Sequence, residues 1–154
     1  MRIHFIGICG TGMASLAAMM KDSGHDITGS DDGVYPPMSD FLAERNVPVH
    51  QGYSPDHLEP APDLVVVGNS QSRTNPEIEH TLNTRLRYTS FPAALADFFL
   101  HRHIPVIVTG THGKTTTTSM ISWVLHHAGR QPNFLIGGIA ENFSASYGLE
   151  GGPH

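Results

Sequence analysis

The sequence is poor in cysteine, in basic charge and in long apolar runs, and each scarcity removes a class of explanation. Cys9 is the only cysteine among 154 residues, so no internal disulfide can form. No apolar run approaches the roughly 18 residues that a membrane helix needs, and no membrane partner is expected. Soon after Met1 and Arg2 the chain turns to Gly-Ile-Cys-Gly-Thr-Gly instead of continuing as a signal-peptide core, so a cytoplasmic location is expected. Lys and Arg number 9 against 14 Asp and Glu, a formal net charge of -5. That balance offers no basic field for a nucleic-acid backbone, and no nucleic-acid partner is expected.

Histidine is abundant, with 11 residues, but only His101 with His103 and His126 with His127 lie close together. Adjacent histidines on a helix point to different faces, so neither pair is read as a metal site. Hydrophobic residues at 39% and charged residues at 15% suit a folded chain of about one ordinary domain. Such a chain can bury roughly 70% of its unfolded surface.

The pattern of apolar residues alternates between strand and helix. Ile3 to Ile8 is a short apolar run ending in glycines, and Met13, Leu16, Ala17 and Met20 then recur at helical spacing until Gly24. Asp26 to Ser30 is read as a strand, Met38 to Arg45 as a helix after Pro36-Pro37, and Val47 to His50 as a strand. Leu64-Val65-Val66-Val67 is apolar throughout, as a strand buried on both faces should be. Pro76 to Thr84 follows as a helix capped by Asn75, with Ile78 and Leu82 on one face. Arg87 to Thr89 is a weak fifth strand, and Phe91, Leu95, Phe98 and Phe99 suit a further helix.

A domain boundary is expected near residue 101, where His101-Arg102-His103 breaks the pattern. The alternation then restarts with a strand at 105 to 109, a loop at 110 to 113 and a helix from about 114 to 128. That helix would turn Met120, Ile121, Val124 and Leu125 inward, stop at Gly129 and lead to a strand at Phe134 to Ile136. The expected architecture is therefore α/β: a Rossmann-like parallel sheet over 1-100, followed over 101-154 by the first βαβ part of a P-loop domain. Gly151 to His154 reads as a cut inside that second domain.

Two glycine-rich loops carry the chemistry. Gly110, Thr111, His112, Gly113, Lys114, Thr115 and Thr116 sit between an apolar strand pattern and an amphipathic helix, where backbone N-H groups and the helix dipole attract phosphate. Lys114 would neutralise β/γ-phosphate charge and the Thr115 hydroxyl would ligate Mg²⁺. The usual P-loop spacing would place its first glycine at Val108, so this loop is shortened.

The first loop, Gly7 to Met13, ends the first strand and opens a helix. Gly7, Gly10, Thr11, Gly12 and Met13 are therefore candidate phosphate contacts. From Gly10 the stretch is G-x-G-x-x-S, and Asp31 falls 21 residues later at the end of the second strand, where it could bind ribose hydroxyls. Asn69 and Ser70 follow the fourth strand at its carboxyl end, and Asn69 is a further candidate. Arg73 either meets a phosphate or is a solvated loop residue. The residues alone leave NAD and a nucleotide sugar open, since both offer a diphosphate and a ribose.

Together the loops resemble the Mur ligase family, ATP-dependent amide-forming enzymes of peptidoglycan metabolism, and the resemblance spans nearly the whole chain. It implies a UDP-sugar site formed by Gly7, Gly10, Gly12, Ser30 and Asp31, with ATP and Mg²⁺ at Gly110 to Thr115. Gly29-Ser30-Asp31, Val34 to Ser39, Val67-Gly68-Asn69 and Arg73-x-Asn75-Pro76 resemble one branch in particular. That branch joins the murein tripeptide L-Ala-γ-D-Glu-meso-diaminopimelate to UDP-N-acetylmuramate through an acyl phosphate in cell-wall recycling. The resemblance further implies that catalytic residues lie beyond His154 and that the chain is inactive alone. The alternatives are the branch that adds L-alanine, a nicotinamide-dependent oxidoreductase domain and a non-catalytic nucleotide-sensing module.

Overall fold

The computed structural model describes residues 1-149, and the chain divides into two compact units between Arg102 and His103. The first unit holds a five-stranded, all-parallel sheet in the order β3-β2-β1-β4-β5. The strands are β1 (Arg2–Ile6), β2 (Asp26–Asp31), β3 (Val49–Gln51), β4 (Leu64–Val67) and β5 (Tyr88–Ser90). Between them run α1 (Thr11–Asp22), α2 (Met38–Ala43), a 3-10 turn (Pro55–Leu58) and α3 (Pro76–Asn83). After β5 come α4 (Phe91–Leu95) and a π-helical turn, Ala96–Leu100.

Strand periodicity of two decides what each face buries. Ile3 and Phe5 of β1, with Leu64 and Val66 of β4, pack against Leu16, Ala17 and Met20 of α1. The intervening Ile6 and Val65 point to the other face and pack with Leu58. Each such fully buried Val, Leu, Ile, Phe or Met side chain contributes about 1.5–3 kcal/mol. His4, which shares the Ile6 face, is 1% exposed, so this face carries a polar residue where the pattern leads one to expect an apolar one.

Gly24 ends α1 as the sequence suggests: its φ is +87°, and its N-H donates to Lys21 O at 2.9 Å. Asn75 caps α3, its side chain accepting from the N-H groups of Glu77 and Ile78. The buried face of α3, however, is Glu77 and Thr81, while Leu82 is 41% exposed. The helix turns that polar pair inward because Glu77 finds buried donors there, and the Thr81 hydroxyl donates to Glu77 O at 2.7 Å. Helix α2 ends at Ala43, short of Arg45, because the chain turns at Asn46, whose φ is +52°. Val47 is then a core residue ahead of β3 and not its first member.

The second unit differs more from expectation. It contains α5 (Lys114–His127) and an antiparallel hairpin of β6 (Phe134–Ala140) with β7 (Ala145–Gly148), so among its described residues this unit forms no βαβ. Residues 105 to 109 form no strand, and Val106 and Ile107 are 65% and 72% exposed. An apolar run becomes a strand only when a neighbour takes its N-H and C=O groups, and β6 pairs instead with β7. Met120 and Val124 are likewise exposed, not inward. The buried position on α5 is Ser122, and Trp123 meets the Phe143 ring edge-on at 5.3 Å. A small core of Phe134, Ile136 and Ala140, joined by Phe143, holds the hairpin.

No helix among the described residues is long and apolar enough to cross a membrane.

Candidate functional site

The first glycine loop lies at the carboxyl end of β1, in the middle of the sheet. Gly7, at φ +81°, turns the chain so that its own N-H and that of Ile8 both donate to Ser30 O, at 2.8 and 3.1 Å. Gly10 is the N-cap of α1 and has no side chain to cap it, so the first N-H groups of that helix face the cleft without a competing protein acceptor from the cap. Gly12 gives room on the same side, since a Cβ there would come within 3.3 Å of Phe91 Cζ.

A cleft of roughly 490 Å³ opens over this loop. It brings together the sequence candidates Gly7, Gly10, Thr11, Gly12, Met13, Asp31 and Asn69. Gln71, Tyr35 and Phe91 join them as contributions that sequence reasoning missed. Tyr35 is 69% exposed beside the cleft, and its signal in the sequence was the Val34 to Ser39 stretch that carries the resemblance.

Asp31 has a structural task alongside any ligand contact. Its Oδ2 accepts from Cys9 N and its Oδ1 from Gly33 N, both at 2.8 Å, so the carboxylate ties the glycine loop to the turn after β2. Burial and the neighbouring Asp31 push the Cys9 thiol up to about 11, so it remains protonated near neutral pH and is no nucleophile.

Ser30 does not line the cleft, contrary to the expectation from sequence. Its side chain is fully buried on the far face of β2 and donates to Glu77 Oε2. Ser30 acts on the cleft through its carbonyl, which fixes Gly7 and Ile8.

Glu77 is the centre of a buried polar cluster. Its Oε1 accepts from Ser54 N at 3.1 Å and pairs with His57 Nδ1 at 2.7 Å, while His4 Nε2 stands 3.5 Å from Oε2. Burial alone would raise this carboxyl's pKa, but the bonds from His4, Ser30 and His57 outweigh it and hold the group below its ordinary range. His50 stacks on His57 at 4.2 Å, and burial together with the charge of its histidine neighbours lowers its pKa, although Glu77 pulls the other way. Among the described residues no group of three or more His, Cys, Asp or Glu is arranged to hold a metal ion.

The second loop forms the start of α5. Gly110 and Gly113 have φ of +149° and +76°, and Gly113 is a left-handed N-cap that any side chain would strain. Lys114 Nζ donates to Gly110 O at 2.6 Å and to Thr111 O at 3.3 Å, drawing its ammonium across the loop. His112 Nδ1 and Thr111 Oγ1 are 3.2 Å apart, and Thr115 and Thr116 are exposed in the first turn. Uncapped N-H groups, one ammonium and hard hydroxyl oxygens form a donor set that fits a polyphosphate with its Mg²⁺.

Comparison with known proteins agrees with this arrangement of loops. Residues 2–103 match the model of the Mur ligase family, catalytic domain, and residues 108–150 that of the Mur ligase middle domain. The chain is 49% identical over 99% of its length to the UDP-N-acetylmuramate--L-alanyl-gamma-D-glutamyl-meso-2,6-diaminoheptandioate ligase of Haemophilus influenzae, covering 34% of that protein. It is similar to the crystal structure of a murein peptide ligase from Psychrobacter arcticus, with a TM-score of 0.86 and 53% identity over 90% of this chain and 29% of that one. The UDP-N-acetylmuramate-alanine ligase of Thermotoga maritima superposes with a TM-score of 0.88 at 33% identity, over 99% of this chain and 36% of that one. The chain thus spans about a third of the length of the curated relatives it matches. With one family model covering the whole parallel-sheet unit and a second beginning just before the Gly110 loop, the chain belongs to the Mur ligase family.

Proposed function

We propose that residues 1-100 bind UDP-N-acetylmuramate and residues 101-154 begin the ATP-binding part of a ligase. Its product would be the amide joining L-Ala-γ-D-Glu-meso-diaminopimelate to the muramate. The observation that carries this reading is the cleft at the uncapped start of α1, with Asp31 beside it, in a chain half identical to a ligase named for those two substrates.

The first N-H groups of α1 would receive the diphosphate, and the helix dipole favours that charge. Asp31, already committed to Cys9 and Gly33, keeps lone pairs for ribose hydroxyls. Lys114 would exchange its carbonyl partners for phosphate oxygens, with Gly110 to Gly113 wrapped around them and the Thr115 and Thr116 hydroxyls beside the metal. ATP, when bound with Mg²⁺, supplies the phosphoryl group that activates the muramoyl carboxylate for attack by the tripeptide amine. These nucleotide substrates set the reaction in the cytoplasm.

Calorimetric titration with UDP-N-acetylmuramate, with NADH as the control, tests the reading. Saturable binding of the UDP-sugar alone supports it. Binding of NADH alone would transfer the cleft to the oxidoreductase class.

A further inference from the structure

The loop that follows β4 turns one side chain inward. Of the residues Asn69 to Thr74, Gln71 alone is not exposed, and its backbone N-H donates to Gly68 O at 3.1 Å. Its amide has a fixed orientation. The Asn75 side-chain oxygen accepts from Glu77 N and Ile78 N as the cap of α3, which leaves Asn75 Nδ2 to donate to Gln71 Oε1 at 3.0 Å. Gln71 Nε2 is therefore the end that lies over the cleft floor, so close to Gly7 that a Cβ there would stand 2.6 Å from it.

Gln71 also reaches Tyr53. Burial and then the charge of Asp31 raise the pKa of the Tyr53 hydroxyl, against hydrogen bonds from Gln71 and the Asp32 backbone, so the phenol stays neutral. The segment around Tyr53 is anchored on both sides: Gly52 N donates to Asp31 O at 2.9 Å and Ser54 N to Glu77 Oε1 at 3.1 Å. Since Asn75 in turn accepts from Glu77 N, the residues Gln71, Asn75, Glu77, Ser54 and Tyr53 form a closed ring of bonded neighbours.

We infer that Gln71 is a positioning residue of the UDP-sugar cleft: it ties the loop bearing Asn69 to the loop bearing Asp31 across the end of β1 and so sets the width of the cleft. The inference rests on the UDP-sugar reading above and adds to it the residue that holds the two sides of the site in register.

The sheet order requires such a link to pass over β1, because β1 lies between β2 and β4. Gly7 occupies that crossing, and a side chain there would push the amide aside as well as strain a φ of +81°. Without the link each loop would rest on its own hydrogen bonds, Asp31 on Cys9 N and Gly33 N, and Asn69 on the turn from Gly68 to Gln71. A ligand touching both sides would then have to order the loops as it binds, and that cost is subtracted from its affinity. The contact between Gln71 and Tyr53 orders them beforehand.

A double-mutant cycle of Gln71→Met and Tyr53→Phe tests the assignment, read as the affinity for UDP-N-acetylmuramate under conditions where every variant is folded. Each single change keeps the side-chain volume and breaks the same link. Each should therefore weaken binding about fivefold, and the double variant also by about fivefold. Independent losses, whether from a direct ligand contact or from separate destabilisation at the two positions, would multiply to about 25-fold. In the free Q71M chain the Asp32 amide should also lose hydrogen-exchange protection, which removal of a ligand contact alone would leave unchanged.

Multiplied losses with the Asp32 protection retained would overturn the inference in favour of a direct contact between Gln71 and the ligand. Unchanged affinity in Q71M would overturn it outright. If the unaltered chain bound no UDP-N-acetylmuramate, the UDP-sugar reading itself would fall, and the assignment of Gln71 with it.

Discussion

Glu77 and His57 meet at 2.7 Å between Oε1 and Nδ1, with the Glu77 side chain wholly shielded from solvent. Their pairing joins α3 to the 3-10 turn, and Ser30 extends it to β2. The Ser30 carbonyl in turn holds the N-H groups of Gly7 and Ile8, so the buried cluster supports the glycine loop from below.

Removing the carboxylate should therefore cost stability. Glu77→Ala leaves His57, Ser54 N and Ser30 without their acceptor in a buried site, and a loss of about 3 kcal/mol is expected. Urea unfolding followed by a probe in the parallel-sheet unit measures it. A loss below about 1 kcal/mol would mean that water or a shifted side chain replaces Glu77.

Acid should weaken the same region in two stages. The fold lowers the pKa of His50 below its ordinary value of 6.5, so below that pH the unfolded chain takes up a proton that the folded one resists. Stability should fall as the pH drops through 6.5 toward the lowered folded value. Glu77, also lowered, contributes stability that is present above its ordinary 4.5 and is lost as the pH falls toward its folded value. The groups facing His50 are His57, His4 and Glu77, so His50→Asn should flatten the first stage and leave the second. Unfolding midpoints collected from pH 4 to 8 would show this, and an unaltered slope between about 5 and 6.5 in the variant would contradict it.

Asp31→Ala removes two bonds from the loops beside the cleft. The amides of Cys9 and Gly33 should lose hydrogen-exchange protection, and UDP-N-acetylmuramate should bind at least about tenfold more weakly. Retained protection at both amides would show that the loops hold their shape without the carboxylate.

Lys114→Ala should separate the two phosphate sites. ATP affinity should drop on the order of 100-fold with UDP-N-acetylmuramate binding unchanged, because the Gly10 loop belongs to the other unit. Equal loss of both ligands would indicate that the two loops serve one nucleotide.

Much of the first unit was legible because its signals are local. The Gly24 stop, the Asn75 cap and the apolar β4 run each depend on a few adjacent residues, and the structure has all three. The Glu77 cluster was not, since its partners come from residues 4, 30, 54 and 57, and a Glu in a first helical turn ordinarily faces water. Ser30, which the family resemblance implied at the UDP-sugar site, differs because strand alternation turns its hydroxyl to Glu77. Residues 105 to 109 had the composition of a strand but no neighbour to pair with among the described residues, and composition cannot supply one. Gly151 to His154, read as a cut within a domain, lie outside the described residues.

The central claim is that the Gly7–Met13 loop, with Asp31 and Asn69, holds a UDP-sugar. Backbone amide NMR of the chain during titration with UDP-N-acetylmuramate tests it most directly. The account predicts saturable shifts at the amides of Gly10 to Met13 and at Asn69, with the Gly110 to Thr116 amides unmoved until ATP and Mg²⁺ are added. Shifts confined to Gly110 to Thr116, or a Gly10 loop that does not respond at saturating ligand, would contradict it.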